Sequence, residues 1–388
     1  MKIANRMNTL TGGANDGWDV FYRARKMKQS GLPVTELTIG EHDIGTHKSI
    51  LTEMDRSAKA GNTGYASVPG TDELRQTVAQ RIKKKTGVPT TAANILITPG
   101  GQAALFAAHL SVLDPGDVAL YFDPYYATYP GTLRSVGAVD RPINCYPEKN
   151  FQPLKSDIEL AAKGAKCLLV NSPNNPTGVV YDIETWKGIA EVCIEQDLWL
   201  ISDEVYDGQI WKGKHITPRS LSDMAQRTLV IGSMSKSHAM TRSRVGWVCG
   251  PEMVITHLIN LATHTTYGVP GYIQNAANFA LNRGDELEME VAAPFARRRK
   301  LATKLVAGQN MVKAIPCSGA MYMMLDIRKT GLSGETFANR LLDKKYIAVM
   351  PGESFGQSAK GHIRVAMTVG DREFKTAIEE LLDFASKQ

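Results

Sequence analysis

The chain has 388 residues, 43% hydrophobic and 22% charged, with 45 Lys and Arg against 39 Asp and Glu for a formal charge of +6. This length suits one large domain with a smaller companion, and the composition excludes a disordered or fibrous chain. So modest a charge excludes a strongly basic nucleic-acid binder, and the densest basic runs, 83–85 and 297–300, read as solvated helix surface or helix ends.

The first twenty residues carry no apolar signal-peptide core, and no 18-residue apolar run follows, so a soluble cytoplasmic protein is expected. From about residue 70, short apolar β-rich runs alternate with helical stretches. "GTDELRQTVAQRIKKKTG" reads as a helix capped by Thr71, with Asp72 and Glu73 in its first turn and Gly87 at its end. The runs "NILIT" (94–98), "VALYF" (118–122), "KCLLVNS" (166–172), "LWLISDEVY" (198–206), "TLVIGS" (228–233) and "RVGWVCG" (244–250) follow. Most are nearly continuous in apolar residues, as strands covered on both faces are. Helical segments such as "GGQAALFAAHLSVL" and "IETWKGIAEVCIEQ" lie between them. The expectation is an α/β fold: a large domain (46–285) with a mostly parallel seven-stranded sheet between helices. A smaller α+β domain is expected from 1–45 together with 286–388, where "GAMYMMLDI", "HIRVAMT" and a last amphipathic helix occur.

The five cysteines (Cys145, Cys167, Cys193, Cys249, Cys317) are odd in number and lack CxxC spacing, which fits a reducing compartment and no zinc ribbon. The eight histidines show neither HxxxH nor HExxH spacing, so no metal site is expected. No GxGxxG follows the first strand, which argues against a dinucleotide enzyme.

In an open α/β sheet, ligands bind beyond the carboxyl ends of the strands. Here those ends carry "PGGQAAL", "DPYYATYP", "NSPNNPTG", "DEVY" and "SMSK" in turn. Two glycines opening a helix suit a phosphate but also make an ordinary tight turn. Asparagines after a strand are common turn formers, and an acid ending a buried strand is costly unless paired. Five successive strands ending this way are hard to explain by structure alone.

"NSPNNPTG", "SDEVY" and "SMSK" followed by "RVGW", in this order and spacing, resemble the class I/II aminotransferases, pyridoxal-phosphate enzymes of fold type I. The likeness runs from "LTIGEHD" through "GYASVPGTDELR" to "PGESFG" and "HIRVAMT", nearly the whole chain. The resemblance implies that Lys236 holds the cofactor as an imine and, once freed, moves the proton from the substrate's Cα. It implies that Asp203 pairs with the pyridine nitrogen, and that Tyr206 and Asn175 bond the ring's phenolic oxygen. Tyr126 would stack on the ring, with Tyr125 and Tyr129 nearby. Gly101 and Gln102 would hold the phosphate through backbone N–H groups, with Ser233 and the Arg244 guanidinium. Tyr65 would reach the phosphate in a neighbouring subunit, implying a homodimer with shared active sites. Arg364 would clamp the substrate's α-carboxylate, with Asn175 and a Gly40 N–H beside it. Trp18, Gly17 and Tyr267 are candidates for the side-chain pocket, although each reads first as a plain core residue.

Four positions depart from the usual pattern of the family. Arg242 stands where glycine is common, His238 where an aromatic is common, and His42 where "GEPD" is usual. Gln102 stands where aspartate-type relatives carry a lysine for a second carboxylate, which argues against a dedicated aspartate enzyme. The resemblance implies transfer of an amino group from an L-amino acid to a 2-oxo acid by ping-pong half-reactions. A β- or γ-lyase of the same fold is the first alternative. A non-catalytic cofactor-sensing module comes last, because such modules are usually fused to a DNA-binding segment for which this domain size leaves no room.

Overall fold

The computed structural model describes residues 1–12 and 17–388. The first strand, β1 (Thr35–Leu37), is followed by β2 (Ile95–Thr98), β3 (Val118–Asp123), β4 (Val139–Asn144) and β5 (Ala165–Asn171). Next come β6 (Trp199–Asp203), β7 (Thr228–Ser233) and β8 (Gly246–Cys249). Last are β9 (Lys313–Ala314), β10 (Tyr322–Asp326), β11 (Ile347–Pro351) and β12 (His362–Ala366).

Seven strands form one sheet in the order β2-β8-β7-β6-β5-β3-β4. β8 runs antiparallel to both neighbours, and the other pairs are parallel. Side chains alternate between faces along each strand, and both faces are covered. Cys167 and Leu169 of β5 pack with Ala104, Leu105 and Leu258, from helices Gly101–Val112 and Glu252–Thr263. Leu168 and Val170 pack on the other side with Trp186, Ile189 and Cys193 of helix Ile183–Glu195. Helix Asp72–Thr86 forms as its signals require: Thr71 accepts from the Leu74 N–H at 3.4 Å, and Gly87 ends it in the left-handed region. β4, "VDRPIN", has no apolar run to mark it and forms at the sheet edge, where Pro142 is tolerated.

The second sheet has the order β1-β11-β12-β10-β9, with β1 parallel to β11. Residues 35–37 therefore join strands more than 270 residues later in the chain. The earlier N-terminal stretch lies elsewhere: the Leu10 carbonyl accepts from Arg134 Nη1 at 3.3 Å, beside the first sheet. Helices Glu286–Ala307 and Asp371–Ser386 pack with this second sheet through Phe295, Phe374 and Leu381. In the basic run 297–300, Arg297 and Lys300 are exposed as expected, and Arg298 is the exception. Arg298 is only 3% exposed, because the helix turns that side chain inward between Asp43 and Asp371. Among the described residues no helix is long and apolar enough to cross a membrane.

Candidate active site

The parallel strands deliver their last residues to one edge of the large sheet. Asn171 of β5 lies opposite Asp203 of β6, and Ser233 of β7 opposite Gly246 of β8. A cavity of about 360 Å³ opens at this edge and reaches Tyr322 and Arg364 of the second sheet. It is lined by Trp18, Gly40, Gly101, Gln102, Tyr126, Asn175, Asp203, Tyr206, Ser233, Lys236, Arg244 and Arg364, the sequence-expected set apart from Tyr65. Tyr65 is 92% exposed and stands edge-on to Tyr267, its ring centre 5.2 Å away. Gly17 and Trp18 border a larger adjoining hollow of about 890 Å³, which Tyr267 does not line.

The floor is a buried carboxylate held by neutral groups. The Tyr129 hydroxyl donates to Asp203 Oδ2 at 2.7 Å, and the Val205 N–H donates to Oδ1 at 3.3 Å. Burial pushes Asp203 up to about 6 against those two hydrogen bonds. Asn171 fastens the floor to the next loop: its Nδ2 donates to the Asp203 carbonyl at 2.9 Å, and its Oδ1 accepts from the Asn175 N–H at 2.8 Å. Tyr129 and Asn171 carry no separate sequence signal. Tyr129 sits in the quoted "DPYYATYP", and Asn171 begins "NSPNNPTG" as one more turn former.

At one end of the cavity, helix Gly101–Val112 starts with no side-chain cap, so its first N–H groups face the space. Gly100 has φ +83°, and a Cβ there would stand 2.3 Å from an Arg244 guanidinium nitrogen. Arg244 is steadied by donation from Nη1 to the Thr241 carbonyl at 2.9 Å. Ser233 Oγ and Ser235 Oγ lie 2.9 Å apart beside it. A helix N-terminus, two hydroxyls and a guanidinium form a donor set that fits a phosphate. The carboxylate floor fits a protonated ring nitrogen, so these residues match pyridoxal phosphate in charge and hydrogen bonding.

Lys236 lies between these parts and is gripped at both ends. Its Nζ donates to the Gly40 carbonyl. Its own carbonyl accepts from Gln209 Nε2 at 3.2 Å and meets His42 Nε2 at 3.0 Å. Burial and the charge of Lys236 lower His42 to about 4. The ring is therefore neutral near pH 7, with its proton on the nitrogen facing that carbonyl.

The opposite wall comes from the second sheet. Arg364 Nη1 donates to Asn175 Oδ1 at 2.8 Å, and Nη2 donates to the Thr38 carbonyl. The guanidinium is sandwiched between the rings of Tyr322 and Phe355, 4.4 and 4.3 Å from their centres. Its Nε has no hydrogen-bond partner among the described residues, and burial lowers the group. Tyr322 also meets Tyr206, hydroxyl to hydroxyl at 3.2 Å. It presses so closely on Gly40 that a Cβ there would lie 1.8 Å from the hydroxyl. Nothing in the sequence singles out Tyr322 or Thr38, because their roles depend on segments that meet only in the fold, whereas Ser235 stands in the quoted "SMSK".

The profile of the family "Aminotransferase class I and II" matches residues 33–381. The chain belongs to that family. An arginine–pyruvate transaminase of Pseudomonas aeruginosa is 38% identical over 98% of this chain and 97% of its own length. An aspartate/prephenate aminotransferase of Thermus thermophilus is 32% identical over 92% of each chain. A solved structure of a Thermus thermophilus aspartate aminotransferase double mutant superposes with a TM-score of 0.93 at 30% identity, covering 99% of this chain and all of that one.

The positions expected to depart from the usual family pattern have distinct settings in this aminotransferase. Gln102 is not free to reach a ligand with its amide: Nε2 donates to Thr132 Oγ1 at 2.8 Å, and Oε1 accepts from Thr128 Oγ1 at 3.1 Å. Arg242 lies at the cavity mouth, exposed, with Nε 3.9 Å from Glu41 Oε1. His238 is buried behind Lys236, its Nδ1 2.8 Å from Ser237 Oγ, and burial lowers it to about 3.

Proposed function

We propose that this aminotransferase moves the amino group of an L-amino acid to a 2-oxo acid by ping-pong half-reactions, using pyridoxal phosphate. The observation that carries the reading is one cavity holding an amine, a buried carboxylate and a buried guanidinium that has no acidic partner among the described residues. Bound there, pyridoxal phosphate supplies a carbonyl that condenses with amines and a ring that withdraws electrons from the substrate's Cα. Gly101, Gln102, Ser233 and Arg244 would hold its phosphate, Tyr126 would cover its ring, and Tyr206 and Asn175 would bond its phenolic oxygen. Asp203 would keep a proton on the ring nitrogen, itself steadied by Tyr129.

Lys236 is the base in this reading: its Nζ takes the proton from the substrate's Cα. Arg364 binds the α-carboxylate, with Asn175 and the Gly40 N–H alongside, and so orients the Cα–H bond toward the lysine. Trp18 borders the space left for the side chain. Because Gln102 is tied to two threonines and brings no cation, the reading favours a donor without a second carboxylate.

Tyr65 and Tyr267, exposed together, support a homodimer in which Tyr65 completes the neighbouring phosphate site. A division into 46–285 and 1–45 with 286–388, in which the stretch around Leu10 reaches across to Arg134 of the larger unit, and a cytoplasmic location complete the proposal. The test is a half-reaction: the yellow protein is mixed with single amino acids and no acceptor. Release of one equivalent of 2-oxo acid per site, with bleaching of the visible band, is expected and names the donor. Continuous release of ammonia would mean a lyase, and a protein that takes up no cofactor would overturn the reading.

A further inference from the structure

Asp123, the last residue of β3, is a buried carboxylate outside the cavity and has no role in the reaction described above. Its two oxygens accept backbone N–H groups of one loop of the second sheet: Gln357 to Oδ2 at 2.8 Å and Ser358 to Oδ1 at 3.1 Å. The same loop is held once more nearby, where the Tyr125 N–H donates to the Phe355 carbonyl at 2.9 Å. Between these anchors lies Gly356, at φ +118°, where a Cβ would sit 2.2 Å from Asp123 Oδ1. The approach is close enough that only glycine fits. The residue this loop delivers is Phe355, fully buried, whose ring covers one face of the Arg364 guanidinium at 4.3 Å.

We propose that Asp123 is a positioning residue for the carboxylate site: it holds the 353–358 loop so that Phe355 keeps Arg364 in place for the substrate's α-carboxylate. This rests on the aminotransferase reading of Arg364. The warrant is geometric. Among the described residues no carboxylate fixes Arg364, so its orientation depends on Asn175, Thr38 and the two rings. Of those supports, Phe355 alone sits on a short loop held to the large sheet by Asp123 and Tyr125, with one longer bond from the Ser358 hydroxyl to Asn144 Oδ1 at 3.4 Å.

The latch should also respond to pH. Burial pushes Asp123 up to about 6, against the pull of the Gln357 and Ser358 N–H groups. Tyr125 on its own loop, Cys145 beyond β4 and the Ser358 hydroxyl face it, and no described ion pair includes it. Protonation turns one acceptor oxygen into a hydroxyl donor opposite an N–H donor, which breaks half of the latch.

Steady-state transamination by the holoenzyme tests this, with Asp123→Asn and Gly356→Ala compared with wild type between about pH 5 and pH 8. Asp123→Asn should raise KM for amino acid and 2-oxo acid roughly tenfold at the upper pH while kcat stays within about twofold. Wild-type KM should rise as pH falls through about 6, and that rise should be absent from Asp123→Asn. Gly356→Ala keeps the carboxylate but pushes the loop from it, and should raise KM likewise. The proposal is overturned if KM in Asp123→Asn stays within about twofold of wild type, or if kcat falls as KM rises. If Asp123→Asn does not fold, a folded Gly356→Ala with normal KM overturns it. A wild-type protein that releases no 2-oxo acid in the half-reaction removes the aminotransferase reading itself, a failure separate from a normal KM in the variants.

Discussion

Two buried arginines lie close to the second sheet, and their surroundings differ in one respect. Arg298 is bonded to two carboxylates, Asp43 at 2.6 Å and Asp371 at 2.8 Å. Burial pushes its guanidinium down, but the hydrogen bonds to Asp43 and Asp371 outweigh this and raise it. Arg364, 1% exposed, meets among the described residues only an amide oxygen, a carbonyl and two ring faces, and no described ion pair includes it. A buried cation without a counter-ion is costly, and a fold that keeps one has left a place for an anion from outside. Arg298 is therefore a structural tie, and Arg364 a binding group. The difference is visible only through partners, since both side chains are equally hidden.

Experiments can separate binding from chemistry and then set the two arginines against each other. Lys236→Ala should lower turnover by more than about 10³-fold, the upper range for a proton-transfer group. It should leave the Arg364 surroundings intact, so a 2-oxo acid should still protect the variant against thermal unfolding. Loss of that protection would show that the carboxylate site depends on the lysine. Asp203→Ala should retain some cofactor and lose about 10²- to 10³-fold in kcat, the scale of removing one preorganised electrostatic partner. An unchanged rate would remove it from the floor of the site.

Arg364→Met should reduce kcat/KM by about 2–5 kcal/mol in transition-state terms, the cost of truncating one side of a buried charged pair. Its thermal stability should hold or rise, because an uncompensated buried charge has been removed. Arg298→Met should do the reverse: it leaves Asp43 without its cation while Asp371 keeps Arg297, costs about 1–3 kcal/mol of stability, and leaves KM near the wild-type value. Calorimetry alongside steady-state kinetics would check both. Equal effects of the two substitutions on KM would erase the distinction.

Much of this was legible in the sequence where local pattern and position coincide. Apolar runs locate strands, strands in such a sheet end at one edge, and Asp203 and Lys236 fall at those ends. What was not legible depends on long-range meeting. Nothing in "RRRK" says that its second arginine turns inward, since Asp43 is 255 residues away along the chain. The three tyrosines of "DPYYATY" look alike as text, yet only Tyr129 reaches Asp203, while Tyr125 packs edge-on with Tyr121. β4 escaped notice because an edge strand need not be apolar.

A smaller effect would show whether the neutral grip on Lys236 behaves as the contrast between compensated and uncompensated charge requires. His42 is held at about 4, below its usual value of 6.5, by burial and by the lysine's charge. Its folded form resists a proton that the unfolded chain accepts below pH 6.5. Its contribution to stability is therefore complete above pH 6.5 and is lost as pH falls from there toward 4. His42→Gln keeps an N–H donor for the Lys236 carbonyl and cannot titrate. Between pH 7 and 5 the wild type should lose about 1 kcal/mol more than this variant, after a discount for partial exposure. Thermal melts of both proteins at the two pH values measure the difference. Parallel losses would mean that His42 takes up its proton in the folded state as readily as in the unfolded one, and that Lys236 exerts no repulsion on it.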